Sequence, residues 1–326
     1  MNKNIKFSSV LGPIINDYIL EKQSLGYKYS KGSKLMKKFD DFLINNNYKM
    51  LSLSKEIVLK WTNPRLNESK STRSGRISAI RGLAKYMTRL EYNAYIYPPK
   101  ALKISRYSYI PYIFSKDELI KVFTICDNYP ISKFSLNRHF IIKIIYKLLY
   151  CTGLRVSEAV NLKIENVDLD SGLLFIKNTK FNKERIIPVS KSLLIELKTY
   201  YNNVHRFKSI NVYFFPSPNG GNYSPSTIYK LFREILWDAG ISHSGKGPRL
   251  HDLRHTFTVH CLKKWVENND DLIKLLPYLS TYLGHSDLRG TQHYLRLTSD
   301  LYPKIKSKVE NYCSGIIPEV FDNEKK

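Results

Sequence analysis

Between residues 98 and 111 the chain reads PPKALKISRYSYIP. Three prolines and several cations interrupt a sequence that otherwise carries helical spacing, and nothing in this stretch restores it. A break of that kind forces two bodies rather than one, and 326 residues are enough for two domains of ordinary size. The expected division is a helical domain over 1–97, a basic linker over 98–112, a second domain over 113–300, and a C-terminal helix and tail over 301–326.

Ahead of the linker, apolar residues recur at helical intervals. Residues 8–26 carry Val10, Leu11, Ile14, Ile15, Tyr18 and Ile19 as one stripe. Ser30 is placed to cap a second helix with Leu35, Met36, Phe39, Phe42 and Leu43 inward. A third helix is expected over 54–62. A fourth, over 72–91, turns Ile77, Ile80, Leu83, Ala84 and Met87 inward and spreads Arg73, Arg76, Arg81, Lys85 and Arg89 over the rest of its surface.

Beyond the linker, Ser115 and Glu118 form a capping box, opening helices over 115–127 and 135–151. Three short strand patterns follow, NLKIENVDL, GLLFIK and RIIPVS, separated by turns at 170–172 and about 179–184. Helices are then expected over 190–203, 224–239, 251–266, 271–283, 287–296 and 302–313. The fold class is mainly α, with one small three-stranded antiparallel β-sheet in the second domain.

Charge narrows the partner. Lys and Arg number 52 against 28 Asp and Glu, a formal net charge of +24, and a surplus of this size asks for a polyanion. Residues 1–110 hold 21 of those cations and only 7 of the acids. Both halves are therefore basic, which suits a ligand lying between them. A membrane surface is the weaker partner: no apolar run approaches the roughly 20 residues of a spanning helix, and Gly12, Pro13, Asn16 and Asp17 break up the N-terminal apolar stretch. The four cysteines, Cys126, Cys151, Cys261 and Cys313, lack the paired spacing of a zinc or redox motif and read as core residues of a reduced, cytoplasmic protein.

Four local patterns carry chemistry. In TGLRVSE, Arg155 and Glu158 lie one helical turn apart just after an apolar helix. In KNTKFNKERI, Lys180 sits at the tip of a hairpin. In HDLRH, His251 and Arg254 present donors at a helix start, where unpaired backbone N–H groups favour an anion. Zinc held by His251 and His255 would enclose the Arg254 cation and would lack a third ligand, so no metal is expected; His255 is assigned to a buried, supporting place. In YLGHSDLRGTQHYLR, His285 lies in a turn and Tyr294 nine residues on. Two arginines, a lysine, two histidines and a tyrosine together suit metal-free transesterification at a phosphodiester. Guanidinium forks hold the non-bridging oxygens, a phenol can attack, and an ammonium can protonate the leaving oxygen.

The ordered set TGLRVSE, Lys180 in a β-turn, HDLRH, LGH and TQHYLR resembles the tyrosine recombinase, or phage integrase, family. The resemblance spans the second half of the chain, and the helical first half with its linker resembles that family's core-binding domain. It implies that Arg155 and Arg254 clamp the scissile phosphate, that His251 and His285 hydrogen-bond it or help to move the tyrosine proton, and that Glu158 supports them. Lys180 would be the general acid and Tyr294 the nucleophile of a 3′-phosphotyrosyl intermediate. The turn departs from the family's glycine–lysine–glycine, with Thr179 and Phe181 flanking Lys180, so Lys183 stays open as the acid.

The resemblance further implies a C-shaped clamp on duplex DNA, with Arg73, Arg76, Arg81 and Lys85 of the fourth helix and Lys103 and Arg106 of the linker as DNA contacts. It implies a homotetramer on two sites, a C-terminal segment exchanged between subunits, room for an accessory DNA-bending or directionality factor, and no cofactor. The core-binding pattern begins almost at once, which favours a recombinase of the Xer group or of a mobile element over one with an arm-binding domain. A type IB topoisomerase and a catalytically silent DNA-binding relative share these residue types and stand as alternatives.

Overall fold

The computed structural model describes residues 5–99, 110–177, 184–205, 212–285, 289–292 and 294. The chain forms two compact units, Met1–Ile110 and Pro111–Lys326. Lys103, Arg106, Lys180, Lys183 and the segment after Tyr294 lie outside the described residues.

Among the described residues the first unit holds four helices: α1 (Gly12–Ser24), α2 (Ser30–Asn45), α3 (Lys55–Thr62) and α4 (Lys70–Arg89). Their stripes meet in one core, with Leu11, Ile15, Met36, Phe39, Leu43, Val58, Leu83 and Met87 buried and the Phe39 ring edge-on to Trp61. Side-chain oxygens start α3 and α4: Ser54 accepts from the Ile57 N–H and Ser69 from the Thr72 N–H. Helix α2 starts differently. Ser30 is its first residue, and the residue before it, Tyr29, turns the chain with a φ of 43°.

Arg76 corrects an expectation. It does not lie on the outer face of α4 but is buried, 2% exposed. Its guanidinium forms a two-pronged ion pair with Glu68 and donates to the carbonyls of Trp61 and Asn63. Arg76 precedes Ile80, Leu83 and Met87 at helical intervals, so it falls on the apolar side of α4. There a cation has to be fully hydrogen-bonded. Among the other expected contacts of this helix, Lys85 is exposed, Arg81 is half-buried, and half-buried Arg73 donates to the Thr62 carbonyl at 2.9 Å.

The second unit is built around α6 (Arg138–Thr152), which packs against α5 (Lys116–Asp127), α8 (Lys191–Val204) and α10 (Asp252–Glu267). Eight residues of α6 are buried, Ile141, Ile142 and Ile144–Tyr146 among them, as an apolar helix at the centre of a domain must be. The capping box at Ser115 and Glu118 is formed. The sheet is β1 (Val167–Asp168), β2 (Leu173–Ile176) and β3 (Arg185–Pro188), antiparallel in that order, with Leu174 opposite Ile187 and Ile176 opposite Arg185. Strand β1 is shorter than NLKIENVDL suggests, because Ile164–Asn166 winds into a 3-10 turn and Lys163 bridges to Tyr213 instead. Helices α9 (Pro225–Asp238), α11 (Leu272–Leu283) and the short α12 (Arg289–Gln292) complete the described part, together with α7 (Val156–Val160), a single turn that periodicity could not reveal. Among the described residues no helix is long and apolar enough to cross a membrane.

Candidate active site

Two helices end at glycines that turn the chain with positive φ: α6 at Gly153 (59°) and α11 at Gly284 (68°). A helix end leaves carbonyls without intrahelical partners, and here guanidinium groups take them. Arg254, on the first turn of α10, donates from Nη1 to the Gly153 oxygen at 2.6 Å and from Nη2 to the Leu283 oxygen at 2.7 Å. Arg155, just before α7, donates from Nη2 to the Gly284 oxygen at 3.1 Å. Neither glycine has room for a side chain. A Cβ at 153 would stand 2.7 Å from the Phe257 ring, and one at 284 would stand 2.8 Å from the Arg185 guanidinium. Arg254 is 2% exposed; burial and the neighbouring Arg155 charge pull it down to about 10, so it remains a cation at neutral pH.

Glu158 joins the two sides. Its carboxylate accepts from the Arg155 backbone N–H at 2.9 Å and side chain at 2.7 Å, and from Arg185 at 2.8 and 3.2 Å. Burial alone would raise this carboxyl, but hydrogen bonds and charge from Arg185, then from Arg155, hold it below the usual range. Arg185 is itself tied to the Tyr282 carbonyl through Nε at 2.8 Å. An exposed Arg–Glu pair one turn apart contributes little; here the Glu158 and Arg185 side chains are largely shielded and Arg155 partly so, and the three-residue arrangement fixes where both guanidinium groups point.

His285 follows Gly284 and lies 3.0 Å from Arg254 Nη2 through Nε2 and 2.8 Å from Thr291 Oγ1 through Nδ1. Arginine can only donate, so Nε2 is the acceptor and the ring proton sits on Nδ1, facing Thr291. The network thus assigns a neutral tautomer.

Tyr294 is 3% exposed, its ring packed with Val259, Leu262, Leu279 and Leu283 and parallel to His285 at a centroid separation of 6.4 Å. Its Oη is 2.8 Å from His255 Nδ1, and the Arg254 and Thr258 side chains hydrogen-bond it as well. Burial raises the phenol above its ordinary value, while the Arg254 charge and those hydrogen bonds pull the other way. His251, at the mouth, is exposed and meets His255 edge to face at 4.8 Å. Its imidazole is pushed down to about 4 by desolvation and by the charges of Arg254 and Arg155. Because part of the ring opens to water, the two cations carry the direction of that shift.

Arg155 and Glu158 form one hydrogen-bonded group and Arg254, His285 and Tyr294 another; the two meet through the adjacent carbonyls of Gly284 and Leu283, and His251 borders His255. Sequence reading missed Arg185, Thr258 and Thr291, which no local pattern distinguishes from other surface cations and hydroxyls. It also placed His255 behind the site, although that ring holds the phenol. The spacing of His251 and His255, one turn apart on one helix face, was the available signal. His255 Nδ1 is turned to Tyr294; among the described residues no three His, Cys, Asp or Glu are grouped to hold a metal ion.

Two cations, two histidines and a buried phenol, brought together from four separated segments, are residue types that can hold a phosphodiester and attack it. Comparison with known proteins shows the family. The model of the phage integrase family matches residues 114–300. The putative integrase/recombinase y4rE of Sinorhizobium fredii is 30% identical over 300 residues, covering 90% of this chain and 94% of that protein. Tyrosine recombinase XerA of Pyrococcus furiosus is 36% identical over 160 residues, 48% of this chain and 50% of that one. In fold, the chain is similar to the XerH site-specific recombinase in a post-cleavage complex with palindromic difH substrate, with a TM-score of 0.62 and 21% identity over 87% of this chain and 78% of that one. The chain belongs to the phage integrase family of tyrosine recombinases, enzymes that cut and rejoin DNA strands.

Proposed function

We propose that this protein is a site-specific recombinase in which Tyr294 attacks a phosphodiester of duplex DNA and forms a 3′-phosphotyrosyl link. The observation that carries the reading is the Tyr294 hydroxyl, held within a hydrogen-bonded cluster that contains Arg254 and His255. Arg155 and Arg254 are the clamp for the non-bridging oxygens. Both are already aimed by helix-end carbonyls, so little reorganisation is needed when the phosphate arrives. Glu158 positions Arg155. His251 is neutral when the site is empty, and a phosphate beside it would favour its charged form, which donates to the phosphate; His285 joins it once its Nε2 leaves Arg254 and takes a proton. Lys180, with Lys183 as the other candidate, both between β2 and β3 in sequence, protonates the departing 5′-oxygen. The energy of the broken bond is kept in the phosphotyrosine, so neither ATP nor metal enters. Attack by a 5′-hydroxyl of the partner duplex then completes strand exchange.

The partner is duplex DNA carrying paired sites, bound by a homotetramer in the cytoplasm, with an accessory DNA-bending or directionality factor where direction must be set. Integration or excision of a mobile element and resolution of dimers are the outcomes this chemistry serves. The basic charge of both halves supports a grip made mainly through phosphates.

The test uses duplexes selected from a random pool by binding to the protein, nicked at successive positions and incubated without metal or ATP. A slower covalent band on a denaturing protein gel, absent in Tyr294→Phe, is the expected result. A duplex that is bound at every nick position and never joined to protein would make this a silent DNA-binding relative.

A further inference from the structure

The attacking phenol has one proton to lose, and burial makes it harder to remove. We infer that His255, through Nδ1, is the base that takes this proton during cleavage and the acid that returns it during rejoining. The inference rests on Tyr294 being the nucleophile and adds the group that activates it.

Elimination among the groups described around Oη leaves His255 Nδ1. Arg254 can only donate. Thr258 gives its own proton to the Arg254 carbonyl at 2.9 Å, and a neutral hydroxyl is a far weaker base than an imidazole. The acceptor nitrogen of His285 is taken by Arg254 at 3.0 Å. The His285 ring lies nearly parallel to the phenol ring, 10° between planes at a centroid separation of 6.4 Å. His251 meets the His255 ring edge to face. His255 Nδ1 stands at 2.8 Å from Oη, inside the distance a general base needs. Among the groups that face this ring are the His251 imidazole, the Tyr294 phenol and, beyond the phenol, the Arg254 guanidinium.

The step balances. The Oη–H bond breaks and the proton joins the Nδ1 lone pair, giving an imidazolium. The freed electron pair forms the Oη–P bond as the P–O5′ bond breaks, and the 5′-oxygen takes its proton from the lysine. In rejoining, the attacking 5′-hydroxyl returns a proton to the lysine, the Oη–P bond breaks, and the imidazolium hands its proton to Oη. The Arg254 charge between phosphate and phenol stabilises the anion formed in transit.

Two variants separate a base from a spacer. Asparagine places a hydrogen-bonding amide near the position of Nδ1 but cannot take a proton; alanine opens a hole that free imidazole can enter. On a nicked duplex joined by wild type, His255→Asn should bind as tightly as wild type and form the covalent adduct on the order of 100-fold more slowly. His255→Ala should recover part of that loss with added imidazole. A 5′-bridging phosphorothiolate at the scissile position, whose thiolate leaves without protonation, should rescue a lysine variant but neither His255 variant. An adduct rate in His255→Asn equal to wild type would overturn the inference while leaving Tyr294 as nucleophile. Loss of the adduct in wild type itself would instead overturn the function proposed above. The wild-type rate gives an independent reading should either variant misfold. On the phosphorothiolate duplex it should rise with pH and level off once a histidine is neutral. A rate climbing about tenfold per pH unit through pH 9 would assign the proton to hydroxide and overturn the inference.

Discussion

The Arg254 guanidinium donates to the carbonyl oxygen of Gly153 at 2.6 Å, joining two residues 101 positions apart. The same side chain holds the Leu283 oxygen at 2.7 Å. A residue aimed at substrate therefore also closes the ends of two helices, α6 and α11. Replacing it touches both chemistry and stability, and the two can be measured apart.

Arg254→Ala leaves two buried carbonyls without partners and should destabilise the second unit by about 2–5 kcal/mol, read as a lower urea midpoint. Arg254→Lys keeps the charge but not the fork. It should recover part of the stability while still forming little covalent adduct. Equal urea midpoints for wild type and Arg254→Ala would sever the link between this arginine and the helix ends.

Glu158 gives a pH prediction. Its carboxyl is held below the usual range in the folded protein, so its contribution is present above the unfolded value, near 4.5, and disappears as pH falls through the lower folded value. The difference in unfolding free energy between wild type and Glu158→Gln should be constant from pH 6 to 8, about 1–3 kcal/mol. It should shrink once pH drops below about 4.5. A difference unchanged down to pH 3 would contradict this ion-pair account.

Gly284→Ala adds one methyl group where φ is 68° and the Arg185 guanidinium would stand 2.8 Å from the new carbon. The left-handed conformation alone costs about 1 kcal/mol. Displacing Arg185 should also loosen Glu158 and Arg155, so adduct formation should fall more than the modest drop in melting temperature suggests. A rate that changes only in step with stability would show that Arg185 does not transmit the disturbance.

Within the first unit, Arg76 and Lys85 should behave in opposite ways although both are cations of α4. Removing Arg76 strands the buried Glu68 carboxylate, so Arg76→Ala should destabilise that unit by about 3–5 kcal/mol. Lys85→Ala should leave the melting temperature alone and lower the slope of log affinity against log salt by about 1 if Lys85 meets a phosphate. An unchanged slope would remove Lys85 from the DNA contacts.

Much of the fold was legible because it is written in spacing. The inward residues of α4, the capping box at Ser115 and the three strand patterns follow from period and turn chemistry. What escaped was long-range or too short to repeat. Helix α7 is one turn, and the 3-10 turn that shortens β1 has no signature apart from its surroundings. Arg76 could have been read correctly, since it shares a stripe with Ile80, Leu83 and Met87; cationic type was given more weight than position. For the site, Arg155, Arg254, His285 and Tyr294 were named from ordered motifs. Arg185 and Thr258 could be found only once the chain had brought them to Glu158 and Tyr294. His255 was seen and set aside, because a histidine's role depends on which atom faces Nδ1, and that is set by a residue 39 positions away.

The double duty of Arg254 bears on how such an enzyme decays over generations. A descendant that no longer cut DNA would still need this guanidinium to finish its helices, so selection for folding alone would retain it. The Tyr294 hydroxyl closes no helix end; without it His255 loses a partner, but phenylalanine would fill the same space among Val259, Leu262, Leu279 and Leu283. In distant copies of this chain, loss of the phenol's oxygen should therefore mark retirement from catalysis long before loss of the arginine does.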